Sequence, residues 1–337
     1  MNTRKTMANM KVVVLTSSFA AKARADQADN LIQVRMVVDI LVDLGFEVSI
    51  ISATLDMESL SRQLGMLQPD LVFNLVEEIQ GKGAFIYYPL AVLEDLDIAY
   101  TGNGHTAMVM ASSKLLAKKM MLAHNILTPQ WLTLSDSFQN KAIKGCWIIK
   151  SVWEHGSLGL GRTSVIKEFS ADKIEQRINR LRKKYGGTWF VEKFIPGREL
   201  NVSMLGTRYG AKVLPVAEII FENYSEEVPK IVDYQAKWED ESISARATRR
   251  RFITDTADKT LIDQIEDIAL KCWDVFELSG YARVDFRIDH ESIPFVLEVN
   301  TNPCLSPDAG FMAAAGRAGM SPVQVVNAIV QTGLGRQ

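Results

Sequence analysis

The sequence is poor in the residues that build metal centres from sulfur and imidazole, and it has no excess of positive charge. Its 337 residues include three cysteines and four histidines, and the formal net charge is -2. Cys146, Cys272 and Cys304 form no CxxC pair, and no two histidines have HxxxH spacing, which argues against zinc and favours a reducing compartment. The charge balance excludes a general nucleic-acid binder. We therefore expect a cytoplasmic protein without a nucleic-acid partner.

Long hydrophobic runs are absent as well. No stretch of 18 or more apolar residues occurs, so the sequence predicts no transmembrane helix and no membrane partner. The N-terminal stretch "MNTRKTMANMKVVVLTSSFAAKARA" has the basic and apolar parts of a weak signal peptide, but its apolar run is short and ends at residues 16–18. We interpret "KVVVLT", residues 11–16, as a first buried strand.

The composition is that of an ordinary globular protein, and the chain is too long for one hydrophobic core, so two or three domains are expected. The first hundred residues alternate between strand patterns, at 11–16, 47–52 and 70–76, and helix patterns, at 30–46 and 83–96. This alternation predicts an α/β domain with an open, mostly parallel sheet that ends near residues 101–103.

Downstream, the pattern predicts a second region that is richer in strands. Helices are predicted at 112–126, 170–185 and 263–276, and strands at 146–151, 163–167, 188–195, 196–206 and 211–220. The polar and basic residues 222–252 predict a long loop, and loops of that length in a compact domain are usually functional or disordered.

Polar side chains interrupt the last two predicted strands, 281–289 and 293–300, which form a hairpin. Side chains two apart in a strand share a face, so Arg283 and Asp285 are expected to lie beside Glu298 and Asn300. Neighbouring carboxylates repel each other unless a cation lies between them, and hard oxygen donors favour Mg²⁺ or Mn²⁺ over zinc. A salt-bridged strand pair on a solvated sheet face explains the same residues equally well.

A glycine-bearing loop, "EHGSLGLG" at residues 154–161, follows the predicted strand that ends at Lys150 and Ser151. Glycines let a backbone approach a phosphate and direct N–H groups toward it, and Lys150 supplies a point charge. The loop matches neither the Walker pattern nor the dinucleotide-binding fingerprint, so a simple hairpin turn is an equal alternative. Taken alone, Lys114 and Lys237 are surface lysines.

Taken together, these stretches resemble the ATP-grasp superfamily, and within it the D-alanine–D-alanine ligase branch. The first 98 residues match only in their βαβ character. The motifs that carry the resemblance occur in the family's order over residues 99–303, and they are "AYTGNGHTAMVMASSKLLAKKMM", "WIIKSVWEHGSLGL", "FVEKFIPGRELNV", "VDYQAKW", "YARVDFRID" and "FVLEVNTNP".

The resemblance implies the ATP-grasp fold, in which two α+β subdomains clasp ATP behind an N-terminal βαβ domain. The boundaries it implies are 1–102 for the N-terminal preATP-grasp domain, 103–192 for a central subdomain with the glycine loop, and 193–337 for a C-terminal subdomain with the metal site and a lid loop. It also implies ATP and two Mg²⁺ ions, or Mn²⁺, as cofactors, a carboxylate and an amine as small-molecule substrates, and a homodimer.

Roles for single residues follow from the same resemblance. Lys237 and Arg283 correspond to catalytic residues, with Arg283 stabilising the oxyanion. Glu192 and the backbone of residues 194–195 correspond to the hinge that holds adenine, and Glu199 to the carboxylate that binds ribose. The implied metal ligands are Asp285, Glu298 and Asn300. The residues implied to bind the nucleotide are Lys114, Lys150, Glu154, Gly156, Ser157, Glu192, Lys193, Phe194, Ile195, Glu199 and Lys237.

Departures from the family pattern all concern the amino-acid substrate. The glutamate that follows the first strand in the family is missing from "SSFAAKARADQ", where Asp26 is the nearest acid. Glu77 and Glu78, in "NLVEEIQGKG", are candidates to compensate. A lid tyrosine is replaced by Trp238, which suggests a larger or less polar substrate, and a downstream serine is replaced by Ala309.

We therefore expect an ATP-dependent carboxylate–amine ligase that forms an amide bond through an acyl phosphate. Its substrates are expected to be amino acids or small peptides other than two D-alanines. Two alternatives stay open at this point: a genuine D-alanine–D-alanine ligase with unusual substrate contacts, and a non-catalytic ATP-binding regulatory protein.

Overall fold

The computed structural model of the chain describes residues 9–18, 25–134, 143–154, 156–161, 163–169, 171–224, 228–238, 242–254 and 256–336. Most of the signal-like N-terminal stretch, the side chain of Asp26, residue 155 of the glycine loop and parts of the predicted loop at 222–252 lie outside these residues. No helix in the described ranges is long and apolar enough to cross a membrane.

The N-terminal region contains the predicted parallel sheet, with strand order β2-β1-β3. A single helix predicted at 83–96 is instead a 3-10 turn, Gly83–Phe85, followed by a shorter helix that has Pro89 in its first turn, where the missing N–H is tolerated. The elements are β1 (Lys11–Ser17), α1 (Ala25–Asp43), β2 (Glu47–Ala53), α2 (Met57–Leu67), β3 (Leu71–Leu75) and α3 (Tyr88–Asp95).

The central region is built around an antiparallel sheet with order β4-β7-β5-β6. Its elements are α4 (His105–Ser112), α5 (Lys114–Ala123), β4 (Trp131–Leu132), β5 (Ile143–Ser151), β6 (Val165–Phe169), α6 (Ala171–Tyr185) and β7 (Trp189–Lys193). Helix α5 begins at Lys114 because extended Ser113 caps it, accepting a hydrogen bond from the Leu116 N–H at 3.3 Å.

The C-terminal region contains a larger antiparallel sheet with order β11-β10-β8-β12-β13. Strand β9 pairs with the end of β8 that extends past β10, residues 204–207. Its elements are β8 (Arg198–Thr207), β9 (Gly210–Val213), β10 (Ala217–Phe221), α7 (Tyr234–Trp238), α8 (Ile243–Arg246), β11 (Thr248–Phe252), α9 (Lys259–Val275), β12 (Tyr281–Ile288), β13 (Pro294–Asn300), α10 (Gly310–Arg317) and α11 (Pro322–Leu334).

The prediction of a continuous loop over residues 222–252 was wrong, since the segment contains α7, α8 and the edge strand β11. The basic stretch can enter the sheet because β10 and the turn after it supply acids. Arg251 lies 2.7 Å from Glu218, and Arg249 lies 3.1 Å from Glu222. Opposite charges on neighbouring strands stabilise such a pairing.

Side-chain packing links elements that are distant in the sequence. Helices α4 and α5 pack with α9 against the C-terminal sheet, where Ala111 and Met121 are fully buried. Helices α10 and α11 pack against β1, β3 and α1, and Val325 and Ile329 join the same core as Phe73. The division at residues 102 and 192 stays a prediction.

Candidate active site

A cleft of about 830 Å³ lies between the three sheets, and all of the residues proposed from the sequence line it. These residues are Lys114, Lys150, Glu154, Gly156, Ser157, Glu192, Lys193, Phe194, Ile195, Glu199, Lys237, Arg283, Asp285, Glu298 and Asn300. The fold therefore brings together positions that are spread over 187 residues of sequence, from Lys114 to Asn300. Their individual roles stay predictions.

The floor of the cleft is the β12–β13 hairpin, with the register expected from the sequence. Asp285 lies directly opposite Glu298, and Arg283 lies opposite Asn300. Phe286 pairs with Val296, so Leu297 is an extra residue in β13 and forms a bulge beside the two carboxylates. The bulge places Glu298 on the same face as Asp285, where both line the cleft.

Asp285 and Glu298 are each bound by a cation of the chain. Arg283 donates from Nε and Nη2 to the two oxygens of Asp285, both at 2.7 Å. The Lys114 ammonium lies 2.8 Å from Glu298 and also donates to the Glu154 carbonyl at 2.9 Å. Burial disfavours the charged form of Arg283, but Asp285 outweighs that effect and raises its pKa, so the guanidinium stays charged.

The donor set of the hairpin fits Mg²⁺. Across the described ranges, no three His, Cys, Asp or Glu side chains are grouped so that they could hold a metal without other ligands. Mg²⁺ needs less, because it commonly takes one or two carboxylates and completes its octahedron with water and nucleotide phosphates. Asp285 and Glu298 supply two carboxylates, and the Asn300 amide supplies a third hard oxygen.

Glu192 is the most buried charged group of the cleft, and two lysines bind it. Its oxygens lie 2.6 Å from the ammonium of Lys118 and 2.6 Å from that of Lys150. Burial opposes ionisation, but the two lysines outweigh it and hold the Glu192 pKa below its usual value. Lys118 is itself fully buried and donates to Thr128 Oγ1 at 2.7 Å.

Sequence reasoning assigned no role in the site to Lys118 or Arg287. Lys118 lies four residues after Lys114 in α5, so the helical period alone places it on the same face. Arg287 shares a face of β12 with Arg283 and Asp285, and its guanidinium lies 2.8 Å from Glu199. Burial raises the Glu199 pKa despite this arginine. Arg287 also lies 5.4 Å from the centre of the Phe194 ring.

The glycine loop is attached to the lid segment around α7. Trp238 donates from Nε1 to the Gly156 carbonyl at 2.9 Å, and Ser157 donates from Oγ to the Val232 carbonyl at 3.0 Å. Trp238 therefore links the glycine loop to the lid segment. The sequence suggested only an effect of Trp238 on substrate size, and this contact is an additional role. Lys237 precedes Trp238, lines the cleft and has an exposed side chain.

The end of the cleft near residues 302–310 differs from what the family pattern implies. Ala309 occupies the cap position of α10, where it makes no side-chain hydrogen bond. The nearby Ser306 is fully buried, and its Oγ lies 2.9 Å from the Cys304 sulfur. Burial and the charges of Glu77 and Asp29 raise the Cys304 pKa, which keeps the thiol protonated and unreactive.

Comparison with known proteins places the chain in a family. The family model described as D-ala D-ala ligase C-terminus matches residues 139–331, more than half of the chain. An uncharacterized protein of Sinorhizobium fredii is 30% identical over 274 residues, which cover 81% of this chain and 76% of that protein. The D-alanine–D-alanine ligase of Aquifex aeolicus is 28% identical over 326 residues, which cover 95% of this chain and 100% of the relative.

Solved structures show the same fold. The D-alanine–D-alanine ligase from Bacillus anthracis complexed with ATP has a TM-score of 0.71 at 20% identity, with 97% of this chain and 98% of that chain covered. The D-alanine–D-alanine ligase from Coxiella burnetii has a TM-score of 0.68 at 17% identity, with 97% and 96% covered.

The fold and the family match define an ATP-grasp ligase, an enzyme that forms carbon–nitrogen bonds. The chain belongs to the family described by the D-ala D-ala ligase C-terminus model. The fold and the enzyme class expected from the sequence are thereby confirmed.

Proposed function

We propose that the protein is an ATP-dependent carboxylate–amine ligase that joins amino acids or small peptides other than two D-alanines through an acyl phosphate. The observation that carries this proposal is one cleft in which Lys114, Lys150 and Lys237 face the Asp285–Glu298 pair. Such a cleft has the charges that phosphoryl transfer requires.

The reaction begins with attack of a substrate carboxylate on the γ-phosphoryl group of ATP, which yields an acyl phosphate and ADP. Mg²⁺ held by Asp285, Glu298 and Asn300 would offset charge on the phosphates. The lysines of the cleft stabilise the transferred group, and the glycine loop with its Trp238 contact excludes water that would hydrolyse the acyl phosphate.

The amine substrate then attacks the acyl carbon, phosphate leaves with the bonding electron pair, and an amide remains. Arg283 is the residue proposed to stabilise the oxyanion, and its Nη1 lies near the start of α10, 3.8 Å from where a Cβ on Gly310 would lie. Its other nitrogens are held by Asp285, so its orientation is determined before substrate arrives.

Substrate identity is the part of the proposal that rests on differences from the family. The end of the cleft that would hold amino acids has Glu77, Asp29, Cys304 and Ala309 on its wall. A second candidate, D-alanine–D-alanine ligase activity, is favoured by the names of relatives such as the Clostridium perfringens ligase B, 27% identical over 73% of this chain.

The protein is further proposed to act in the cytoplasm and, by the resemblance, as a homodimer. Support for a reducing compartment comes from Cys146, Cys272 and Cys304, which are all free thiols. Analytical ultracentrifugation of the full chain tests the dimer.

The proposal is tested by phosphate release from ATP and Mg²⁺ with separate pools of L-amino acids, D-amino acids and dipeptides, and with D-alanine alone. The double variant Asp285→Ala/Glu298→Ala is the negative control, and Glu291→Ala, in the exposed hairpin turn, is the matched control. Release that requires one pool and disappears only in the double variant supports the ligase. Strong release with D-alanine alone assigns the second candidate, and release from no pool overturns both.

A further inference from the structure

Glu77 lies on the wall of the cleft that the N-terminal region supplies, directly after β3. The N–H groups of Glu77 and Glu78 both donate to Ser17 Oγ at 3.1 Å, which attaches this turn to the end of β1. Asp29 from α1 lines the same wall. The turn therefore presents a carboxylate to the cleft from a rigid part of the sheet.

The hydrogen bonds of Glu77 come from neutral amides. Gln33 donates from Nε2 to Glu77 Oε1 at 2.5 Å, and its own Oε1 accepts the Leu305 N–H at 2.9 Å. Since the Leu305 bond takes the amide oxygen, the Gln33 nitrogen must point toward Glu77. The Asn30 amide also lowers the Glu77 pKa, and its Nδ2 donates to the Leu75 carbonyl at 3.4 Å.

Charged and titratable groups around Glu77 come from several elements. Lys237 from the lid exerts an attraction on its charge, and Asp29 from α1 repels it. Tyr281 from β12 and Cys304 from the segment before α10 also feel the charge of Glu77, and Glu78 adjoins it in the chain. Burial is the largest influence and raises the Glu77 pKa to about 7.

Amide formation needs a proton acceptor beside the attacking amine. An amine reaches the cleft largely as an ammonium ion, and the ammonium has no lone pair with which to attack the acyl carbon. A general base works best when its pKa lies near the operating pH. Neighbouring groups are less suited, because Asp29 accepts from the Cys304 thiol at 3.0 Å and the Tyr281 hydroxyl donates to Asn302 at 2.6 Å.

We propose that Glu77 is a further catalytic residue, the base that binds the ammonium group of the acceptor substrate and takes its proton. The inference rests on the proposed ligase function and extends it. The ammonium transfers one proton to the Glu77 carboxylate, and the resulting amine forms the C–N bond while the C–O bond to phosphate breaks. Phosphate leaves with the electron pair and takes the second proton from nitrogen, and Glu77 then loses its proton to water.

Hydroxylamine allows formation of the acyl phosphate to be measured without the proposed base. It is largely unprotonated at neutral pH and traps acyl phosphates as hydroxamates without help from a base. We expect Glu77→Gln to form hydroxamate from ATP and the amino-acid pools within about twofold of the unmodified protein, since the side-chain oxygen of the introduced amide can still accept the hydrogen bond from Gln33. Amide formation from the same pools is expected to fall about 100-fold or more.

The pH profile gives a second readout that a structural role would not change. In the unmodified protein, kcat/KM for the acceptor pool is expected to rise with pH through about 7, the value to which burial raises the Glu77 pKa. Glu77→Gln depends on the small fraction of free amine, so its kcat/KM should keep rising with that fraction and should not level off above pH 7. Glu77→Asp should level off as the unmodified protein does, and Glu58→Gln, an exposed substitution on α2, should match the unmodified protein.

Two outcomes would overturn the inference, and they can be told apart. Amide formation and a pH profile that survive in Glu77→Gln exclude the base while leaving the ligase intact. Absence of both hydroxamate and amide in the unmodified protein excludes the ligase, and the base with it.

Discussion

At the scale of single residues, the most unusual arrangement is one buried carboxylate between two lysines. Lys118 and Lys150 both lie 2.6 Å from Glu192, although Lys118 is fully buried. A buried ion is tolerated only when partners compensate for the lost water. Lys118 and Glu192 neutralise each other, which leaves the charge of Lys150 available at the wall of the cleft. Glu192 thus positions a lysine in addition to lining the site.

The first prediction concerns Lys118. Lys118→Met is expected to lower the free energy of unfolding by about 3–5 kcal/mol, because it leaves a buried carboxylate with one cation in place of two. Urea unfolding followed by circular dichroism measures the change. Lys119→Met, an exposed neighbour on α5, is the matched control and is expected to change stability by less than about 0.5 kcal/mol. Equal stability of the two variants would falsify the compensation argument.

The second prediction concerns the pH dependence of stability. Burial raises the Glu77 pKa from 4.5 to about 7, so the folded protein binds more protons than the unfolded chain between these values. Stability contributed by this group is therefore present below pH 4.5 and lost as pH rises toward 7. Relative to the unmodified protein, Glu77→Gln should gain up to about 3 kcal/mol between pH 4.5 and 7.

Urea unfolding of both proteins across this pH range measures the gain. A difference between Glu77→Gln and the unmodified protein that stays constant with pH would show that Glu77 does not titrate in this window. Glu58→Gln, which removes an exposed carboxylate on α2, is the matched control.

At the scale of elements, the sequence predicted the periodic parts and missed contacts that cross the chain. The β12–β13 hairpin was predicted because alternation in a strand decides which side chains share a face. Its bulge at Leu297 could not be predicted, since a shift of register depends on the neighbouring strand. Strand β11 was missed for the same reason. Its arginines are typical of a polar loop when the local sequence is considered alone, and only the fold brings Glu218 and Glu222 beside them.

Site residues divide in the same way. Asp285 and Glu298 were predicted because they stand out in apolar strands, and residues of the cleft with family motifs were predicted by resemblance. Gln33 carried no signal, since a glutamine in an amphipathic helix is ordinary, and only the fold brings its amide between Leu305 and Glu77. In the structure Glu298 forms an ion pair with Lys114, a contact between α5 and β13 that no local pattern contains.

The third prediction concerns the turn that leads into β12. Gly280 has φ +66°, and a Cβ there would lie 2.7 Å from the Gly102 Cα and 2.8 Å from its carbonyl oxygen. Gly280→Ala therefore combines a left-handed backbone with a backbone clash and is expected to cost about 3 kcal/mol or more. Gly187→Ala has φ +69° with nothing within 4 Å, so it isolates the backbone part at about 1–2 kcal/mol.

Thermal unfolding of both variants measures the difference between them. Gly280 contacts Gly102 where the N-terminal region meets the C-terminal sheet. The additional loss of stability in Gly280→Ala, relative to Gly187→Ala, therefore measures how much close packing at this contact contributes. If alanine lowers the stability equally at the two glycines, the close approach of Gly280 to Gly102 does not contribute to the cost of Gly280→Ala.

At the scale of the whole molecule, the cleft depends on all three sheets. Glu77 comes from the N-terminal region, Lys150 and Glu192 from the central sheet, and Asp285 and Glu298 from the C-terminal sheet. A ligand that contacts all three walls stabilises their common arrangement, because it binds the folded state and not the unfolded chain.

The fourth prediction follows from this arrangement. ATP at about 100 times its Kd, with Mg²⁺, is expected to stabilise the protein by about 2.7 kcal/mol. Differential scanning fluorimetry should show a higher Tm with ATP and Mg²⁺ than with ATP and EDTA. In Asp285→Ala/Glu298→Ala the Mg²⁺-dependent increase in Tm should disappear, while Glu291→Ala should keep this increase. An equal shift in the double variant would place the metal elsewhere.

Helix α11 has a consequence for synthesis. The core around β1 and β3 is completed by Val325 and Ile329, which the ribosome adds after all three sheets have been translated. The first region to emerge therefore cannot finish folding when it appears, although domains commonly fold in the order of synthesis. Its apolar surface near Phe73 stays exposed until α11 has been synthesised. We therefore expect nascent chains that stall before α11 to bind chaperones that cover exposed hydrophobic surface.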